Sequence, residues 1–526
     1  MSSSSKIDSV PGNRWRLTMV IVLLALGMFG TGLVAWLKLG RKPGTDVVMI
    51  VVNVMRADHL ASYGYGRETT PALDDLAEES YVFDRAFAQV GYTLPSMASI
   101  MTSLYPQSHR VYDAYKDEIT KQVPTLAEVL RQKGYVTAWF SRLTEPHLAL
   151  VAGFGRGFDL HAELGTRFEG KERLFRWLEN LGSEPFFLAM NIRHAHSPYL
   201  PLPKYRKRFT AGKVKLPIES QAELLREVYD TLLEEINDQR SPLYGAFEPN
   251  EIAAHPEYFA GGFTETKLEG LETLIDPDRR HLLDELRVRV YNRKLMPAGE
   301  DRLPTLTAYY DACLLGVDQE IIGPLLEILK RKGRYDRTMI VVTGDHGESL
   351  GEHGLYGHGM QYYDQFIHVP LIVKMPGPGH AREDISTLVG GVDLMPTILA
   401  AVGIEPPATA QGADILPAAL GIKSVAPEFL FGENRYYGFL RSARWKLIVA
   451  RERADNLPFV DQLFDLVADP EELRDVKEVY PEVYRQLRLR VMDHLAGLPV
   501  YVDRTYQFKP EISDATKRKI RETGYW

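Results

Sequence analysis

The sequence predicts an α/β fold built on a mostly parallel sheet with helices on both faces. Three observations predict it: short β-branched apolar runs recur along the chain, helical patterns separate them, and chemically useful polar residues follow several of the runs at once. Strands that alternate with helices form parallel sheets, and strands buried on both faces read as continuous apolar stretches. In such sheets ligands gather beyond the carboxyl ends of the strands.

The first element lies ahead of that domain. After a tail at residues 1–16, Leu17 to Leu37 runs without a charge and is long enough to cross ~30 Å of hydrocarbon as a helix. It continues into Trp36 and then Lys38, Arg41 and Lys42, where a cleaved signal would have a shorter apolar core and a small-residue site. We therefore read residues 17–37 as a single-pass anchor. Its flanking charges balance, with Lys6, Arg14 and Arg16 on the other side, and so set no orientation.

The domain begins with Asp46 to Val52 (DVVMIVV), and the same signature returns at Pro185 to Asn191, Thr338 to Thr343 and His368 to Lys374. Helical patterns at Thr125 to Lys133 and Val317 to Lys332 lie between. Asn53 follows the first run, His194 and His196 the second, Asp345 and His346 the third. The polar stretch Ala211 to Arg302 reads as an insertion near the mouth of a site. Gly403 to Pro407 interrupts both helix and strand and marks a boundary, giving a catalytic domain at 46–403 and a smaller C-terminal α+β unit at 404–510. Within that unit Phe439 to Ala450 and Gln462 to Leu466 read as antiparallel strands, and Pro481 to Leu495 as a closing helix.

Composition narrows the function. The chain has 526 residues, 45% of them hydrophobic, and a net charge of −8, which excludes a basic nucleic-acid face. A small-molecule, lipid or glycan substrate fits better. The single cysteine, Cys313, excludes an internal disulfide and a cysteine-rich zinc site, so any metal must be held by His, Asp, Glu or Asn.

Three clusters carry chemistry. In Val341 to Gly359 (VVTGDHGESLGEHGLYGHG) a strand runs into Asp345 and His346, an oxygen and nitrogen ligand pair, among glycines that permit close backbone approach. In Val51 to Gly66, Asn53 can lend an amide oxygen to a metal, while Arg56 and Asp58 read as a structural ion pair. In Gly91 to Val111, Pro95 marks a first helical turn and presents Thr93 near a positive helix end, suited to a developing phosphate or sulfate charge.

These clusters, in this order, resemble the sulfatase family of the alkaline phosphatase superfamily, from about Asp46 to Leu495. Asn53 to His59 is similar to the family's Asp-x-Leu-Arg-x-Asp-His strand end, Thr93 to Ser96 to its Cys/Ser-x-Pro-Ser-Arg nucleophile motif, and Thr102 to His109 to its Thr-Gly-x-x-Pro-x-x-His tail. PTLAEVLRQKGYVTAWF, HAHSPYLPLPKY, YDACLLGVDQEI, IHVPLIVKMPG, VDLMPTILAAVGI and QLFDLVADPEE match in order and spacing. The resemblance implies an alkaline phosphatase-like fold and one divalent cation (calcium, magnesium, manganese or zinc) held by Asn53, Thr93, Asp345 and His346. It implies Thr93 as nucleophile, with His196 and His358 binding the transferred oxyanion and protonating the leaving oxygen.

The match breaks at the reaction centre. Sulfatases convert a cysteine or serine to formylglycine, and threonine stands here; the motif's arginine is Met97, the Lys-x-His of many members is replaced by Arg142 and Thr144, and His358 stands where lysine is common. Threonine is the nucleophile in sister families that act on phosphate esters, several of them membrane-anchored with the domain outside the cytoplasm. Three readings follow: a Thr93-dependent phosphoester hydrolase or transferase, which the sequence favours; a sulfuric ester hydrolase; and a scaffold that kept the fold without turnover.

Overall fold

The computed structural model describes residues 44–501, apart from 113–116, 142–152, 166, 198, 211–220, 360, 420–426, 452–460 and several short stretches between 240 and 301. The anchor expected at Leu17 to Leu37 and the pair Arg142 and Thr144 lie outside the described residues. Among the described residues no helix is long and apolar enough to cross a membrane.

Asp46–Val52 forms β1, the centre of an eight-stranded sheet, and its side chains alternate between two cores. Val47, Met49 and Val51 join one buried apolar cluster, while Val48, Ile50 and Val52 join another on the opposite face. This is why the run carries no polar alternation: both faces are inside. Three short strands follow in the chain: β2 (Tyr81–Phe83), β3 (Ala86–Phe87) and β4 (Val136–Ser141). After them come β5 (Leu160–Glu163), β6 (Phe186–Ile192), β7 (Thr338–Gly344), β8 (Leu371–Lys374) and β9 (Glu383–Ile385).

The sheet order is β5-β4-β6-β1-β7-β8-β2-β9. β5, β4, β6, β1 and β7 are parallel to one another, and only β8 runs against its neighbours. The strand expected over His368 to Lys374 is shorter than the apolar run. Pro370 has no N–H to give a ladder, and the chain before it turns through a short helix, Asp364–Ile367. β10 (Val389–Gly390) pairs with β3 in a small parallel ladder.

The sheet is stapled at the end away from the site. Asp46, fully buried at the amino end of β1, accepts from Arg334 at 3.0 Å and Arg337 at 2.7 Å. The helix foreseen from Thr125 spans Leu126–Gln132, and Thr125 and Glu128 close its start as a reciprocal capping box.

The C-terminal part is a four-stranded antiparallel sheet of β11 (Leu430–Glu433), β12 (Tyr437–Arg441), β13 (Trp445–Ala450) and β14 (Gln462–Asp465). The run Phe439 to Ala450 therefore folds as a hairpin. Helix Pro481–Gly497 covers it through Leu487, Val491 and Leu495, which pack with Leu440, Leu447, Val449 and Leu463. A buried ionic knot joins this sheet to the larger one: Lys446 meets Asp364 at 2.8 Å and Glu472 at 2.6 Å, and Arg441 also pairs with Asp364.

Candidate active site

Asn53 directly follows β1, and Asp345 and His346 directly follow β7; the two strands are hydrogen-bonded neighbours, so their carboxyl ends present these residues side by side. Thr93 arrives on the first residue of helix Thr93–Thr102, with Pro95 inside the first turn, as Pro95 predicted. Ser96 donates its hydroxyl proton to the Asp345 carbonyl, fastening this helix to the loop after β7. Gly347 is required for that loop: a Cβ there would lie 2.1 Å from the Gln365 carbonyl oxygen.

The result is a tight cluster. Asn53 Nδ2 donates to Thr93 Oγ1 at 3.0 Å, and Thr93 Oγ1 lies 3.1 Å from His346 Nε2. His346 Nδ1 is 2.8 Å from the Gly347 carbonyl oxygen, which can only accept, so Nδ1 carries the proton and Nε2 offers a lone pair to the threonine hydroxyl. Burial holds the imidazole below its usual range, against the opposing pull of the Asp345 carboxylate. Asp345 Oδ1 accepts from the backbone N–H of Val54 at 3.0 Å and of His346 at 2.9 Å.

Two oxygens remain. Asp345 Oδ2 and Asn53 Oδ1 are buried without a hydrogen-bond partner, a costly state unless a cation or donor meets them. Among the described residues no three His, Cys, Asp or Glu side chains converge as a metal site on their own. The donors here are instead one carboxylate, one imidazole, one amide and one hydroxyl, a set that fits a divalent cation only if the amide and hydroxyl oxygens both take part.

The other two expected histidines join the cluster. The His358 ring stands 4.6 Å from His346 and 4.7 Å from His196, centroid to centroid. Burial, and then the Arg193 guanidinium 3.2 Å away, hold His196 well below the ordinary imidazole range, and its Nδ1 donates to the Ser197 carbonyl. All six residues singled out by sequence thus meet at one end of the sheet.

Residues the sequence reading passed over complete the site. Fully buried Glu348 sits 3.0 Å from His358 Nδ1. Arg193 follows β6 directly and borders His196. The structural pair of Arg56 and Asp58 is present at 2.7 Å, and the same guanidinium reaches Glu352 and the Glu348 carbonyl, tying the two loops together. Met97, where the family's arginine would stand, is fully buried in the apolar core.

The profile of the sulfatase family matches residues 45–404, and that of the N-sulphoglucosamine sulphohydrolase C-terminal region matches residues 351–497. Arylsulfatase K of Canis lupus familiaris is 30% identical over 486 residues, covering 84% of this chain and 81% of its own; the bovine protein aligns over only 36% of each chain. N-acetylglucosamine-6-O-sulfatase of Bacteroides thetaiotaomicron is 23% identical and covers 83% of this chain and 84% of its own. The phosphonate monoester hydrolase of Agrobacterium radiobacter shares the fold with a TM-score of 0.61 at 21% identity, over 86% of this chain and 95% of its own. With this family profile spanning most of the chain, and the motifs on which it rests folded into one cluster, the protein belongs to the sulfatase family of the alkaline phosphatase superfamily.

Proposed function

We propose that this sulfatase-family ester hydrolase acts on phosphate esters, as hydrolase or transferase, with Thr93 as the nucleophile. The observation that carries the reading is the Thr93 hydroxyl, 3.0 Å from the Asn53 amide and 3.1 Å from a bare imidazole nitrogen, beside two unpartnered oxygens. A threonine there serves as a phosphoryl acceptor as it stands.

Asn53, Thr93, Asp345 and His346 would hold one divalent cation, calcium, magnesium, manganese or zinc. Bound there, the cation supplies Lewis acidity and lowers the proton affinity of the hydroxyl. The protein's own groups do the rest. Thr93 Oγ1 loses its proton to solvent and attacks the phosphorus as the bond to the leaving oxygen breaks. His358, backed by Glu348, protonates that oxygen, while Arg193, positioned by the bare Nε2 of neutral His196 that accepts from it, donates to the phosphoryl oxygens. Water or an acceptor alcohol then attacks the phospho-threonine and returns a proton to His358, and Thr93 regains its own as the ester bond breaks.

Hydrolysis of an aryl phosphodiester by the purified chain tests this, beside Thr93→Ala. Turnover lost in the variant by about 10⁴-fold or more supports the reading, and unchanged turnover overturns it. A second reading, sulfuric ester hydrolysis, is favoured by the sulfatase names of the relatives that align over most of the chain. Aryl sulfate cleavage, together with a mass shift on the peptide bearing residue 93, would establish that reading instead.

We also propose that the apolar run Leu17 to Leu37 anchors the chain in a membrane and, by analogy with the anchored sister families, that the catalytic domain lies outside the cytoplasm, within reach of lipid or glycan esters. Protease accessibility of the domain in intact cells checks it, and full protection would refute it.

A further inference from the structure

The turn that carries Asn53 out of β1 contains an uncommon backbone conformation. Val54 has φ 57°, and it is the only β-branched residue among the described non-glycine residues with positive φ. A branched Cβ crowds the backbone there, so the conformation persists only where the surroundings over-determine it. Val54 is fully buried, and both its backbone polar groups are engaged. Its N–H donates to Asp345 Oδ1 at 3.0 Å, and its carbonyl accepts from the Tyr310 hydroxyl at 2.7 Å.

The same phenol accepts from the Arg56 N–H at 3.0 Å, so one oxygen atom bridges both ends of the 54–56 turn. Tyr310 is itself packed on several sides. It lies in the middle of helix Arg302–Val317, fully buried, with its ring edge-on to His59 at 4.9 Å and to Tyr199 at 5.7 Å. His59 is pinned in turn by Asp311, the next residue of that helix, at 2.8 Å. Burial also keeps the phenol protonated and therefore a donor.

We propose that Tyr310 is a positioning residue, whose hydroxyl holds Val54 in its left-handed conformation and thereby aims Asn53 at Thr93 and fixes the rotamer of Asp345. The consequence for cation binding rests on the assignment of the site above. A helix on one face of the sheet thus sets two of the donors through a single strained peptide. The strain is what separates a clamp from an ordinary hydrogen bond: without the phenol, the turn relaxes toward negative φ and carries the Asn53 side chain and the Val54 N–H with it.

The test compares Tyr310→Phe, Val54→Gly and the double variant of the full-length protein, by thermal midpoint without metal and by calorimetric titration with Mn²⁺. Phenylalanine keeps the ring, so the core stays filled. Tyr310→Phe is expected to lower the midpoint and to weaken Mn²⁺ binding on the order of ten- to a hundred-fold. Both losses are expected to be smaller when Val54→Gly is already present, because glycine accepts positive φ without the clamp. Equal midpoint losses on the two backgrounds would overturn the proposal, as would unchanged Mn²⁺ affinity in Tyr310→Phe when the parent protein binds the ion. A parent protein that binds no Mn²⁺ would refute the cation site, and the midpoints would still decide the clamp.

Discussion

Glu348 Oε1 lies 3.0 Å from His358 Nδ1, and the carboxylate is completely buried while the imidazole is partly open. The two residues are ten apart in sequence, and a short antiparallel bridge brings them opposite each other: Ser349 and Gly357 exchange N–H to carbonyl bonds, both 2.9 Å. A carboxylate behind an imidazole orients the ring. Of the three clustered histidines, the other two turn their Nδ1 to backbone carbonyls, at Gly347 and Ser197.

This arrangement predicts a leaving-group signature. Glu348→Gln keeps a hydrogen bond to His358 but removes the charge, and is expected to lower kcat by about 10²-fold on an alkyl phosphodiester, whose leaving oxygen needs a proton. On a p-nitrophenyl ester, whose leaving group departs unaided, the loss should be much smaller. Steady-state kinetics on the two substrates decide it, and equal losses would remove His358 from the role of acid.

Asn53 supplies the cluster with an amide where a carboxylate would bring charge. Asn53→Asp adds a negative group beside the unpartnered Asp345 Oδ2 and removes the donor to Thr93. The variant is expected to bind Mn²⁺ about tenfold tighter or better, since ligand charge tunes cation affinity. Its thermal midpoint should fall in chelator and rise with Mn²⁺ by more than the parent's does. A midpoint indifferent to the ion in both proteins would contradict a cation at this position.

Glu433, at the end of β11, is fully buried, and burial raises its carboxyl from 4.5 to about 7, against the pull of Arg451 and Arg110. A carboxyl raised in the folded state contributes stability that is present below its unfolded value and lost as pH rises through its folded one. Stability should therefore decline between about pH 4.5 and 7 by up to about 3 kcal/mol from this group. Glu433→Gln, which can still accept from the Gln107 N–H as Glu433 does at 2.8 Å, is expected to flatten that decline and raise the midpoint at pH 8. Urea denaturation across the interval measures it, and an unchanged slope in the variant would exclude Glu433 as the source.

Much of this architecture is visible in the sequence for one physical reason: residues at the carboxyl ends of buried strands have their direction set by the strand. Asn53, Asp345 and His346 could be placed at strand ends because β1 and β7 announce themselves as unbroken apolar runs, and the family resemblance implied that they meet. Pro95 likewise marked the helix that presents Thr93. What stayed hidden depends on closure in space. The Glu348–His358 pair exists only because Ser349 and Gly357 bridge, and the hold of Tyr310 on Val54 joins residues 256 positions apart. Strands such as Tyr81–Phe83 and Leu430–Glu433 are too short to show a period, and their partners, not their composition, make them strands.

The buried methionine four residues after Thr93 limits what a single substitution can do. Position 97 is sealed in the apolar core, so an arginine there would have to be stripped of water, at a cost of several kcal/mol unless a partner appeared with it. Thr93→Cys alone would therefore supply the residue that formylglycine chemistry starts from but not the arginine of the family motif. Installing the family's cysteine and arginine here therefore takes two coordinated changes, each unfavourable without the other.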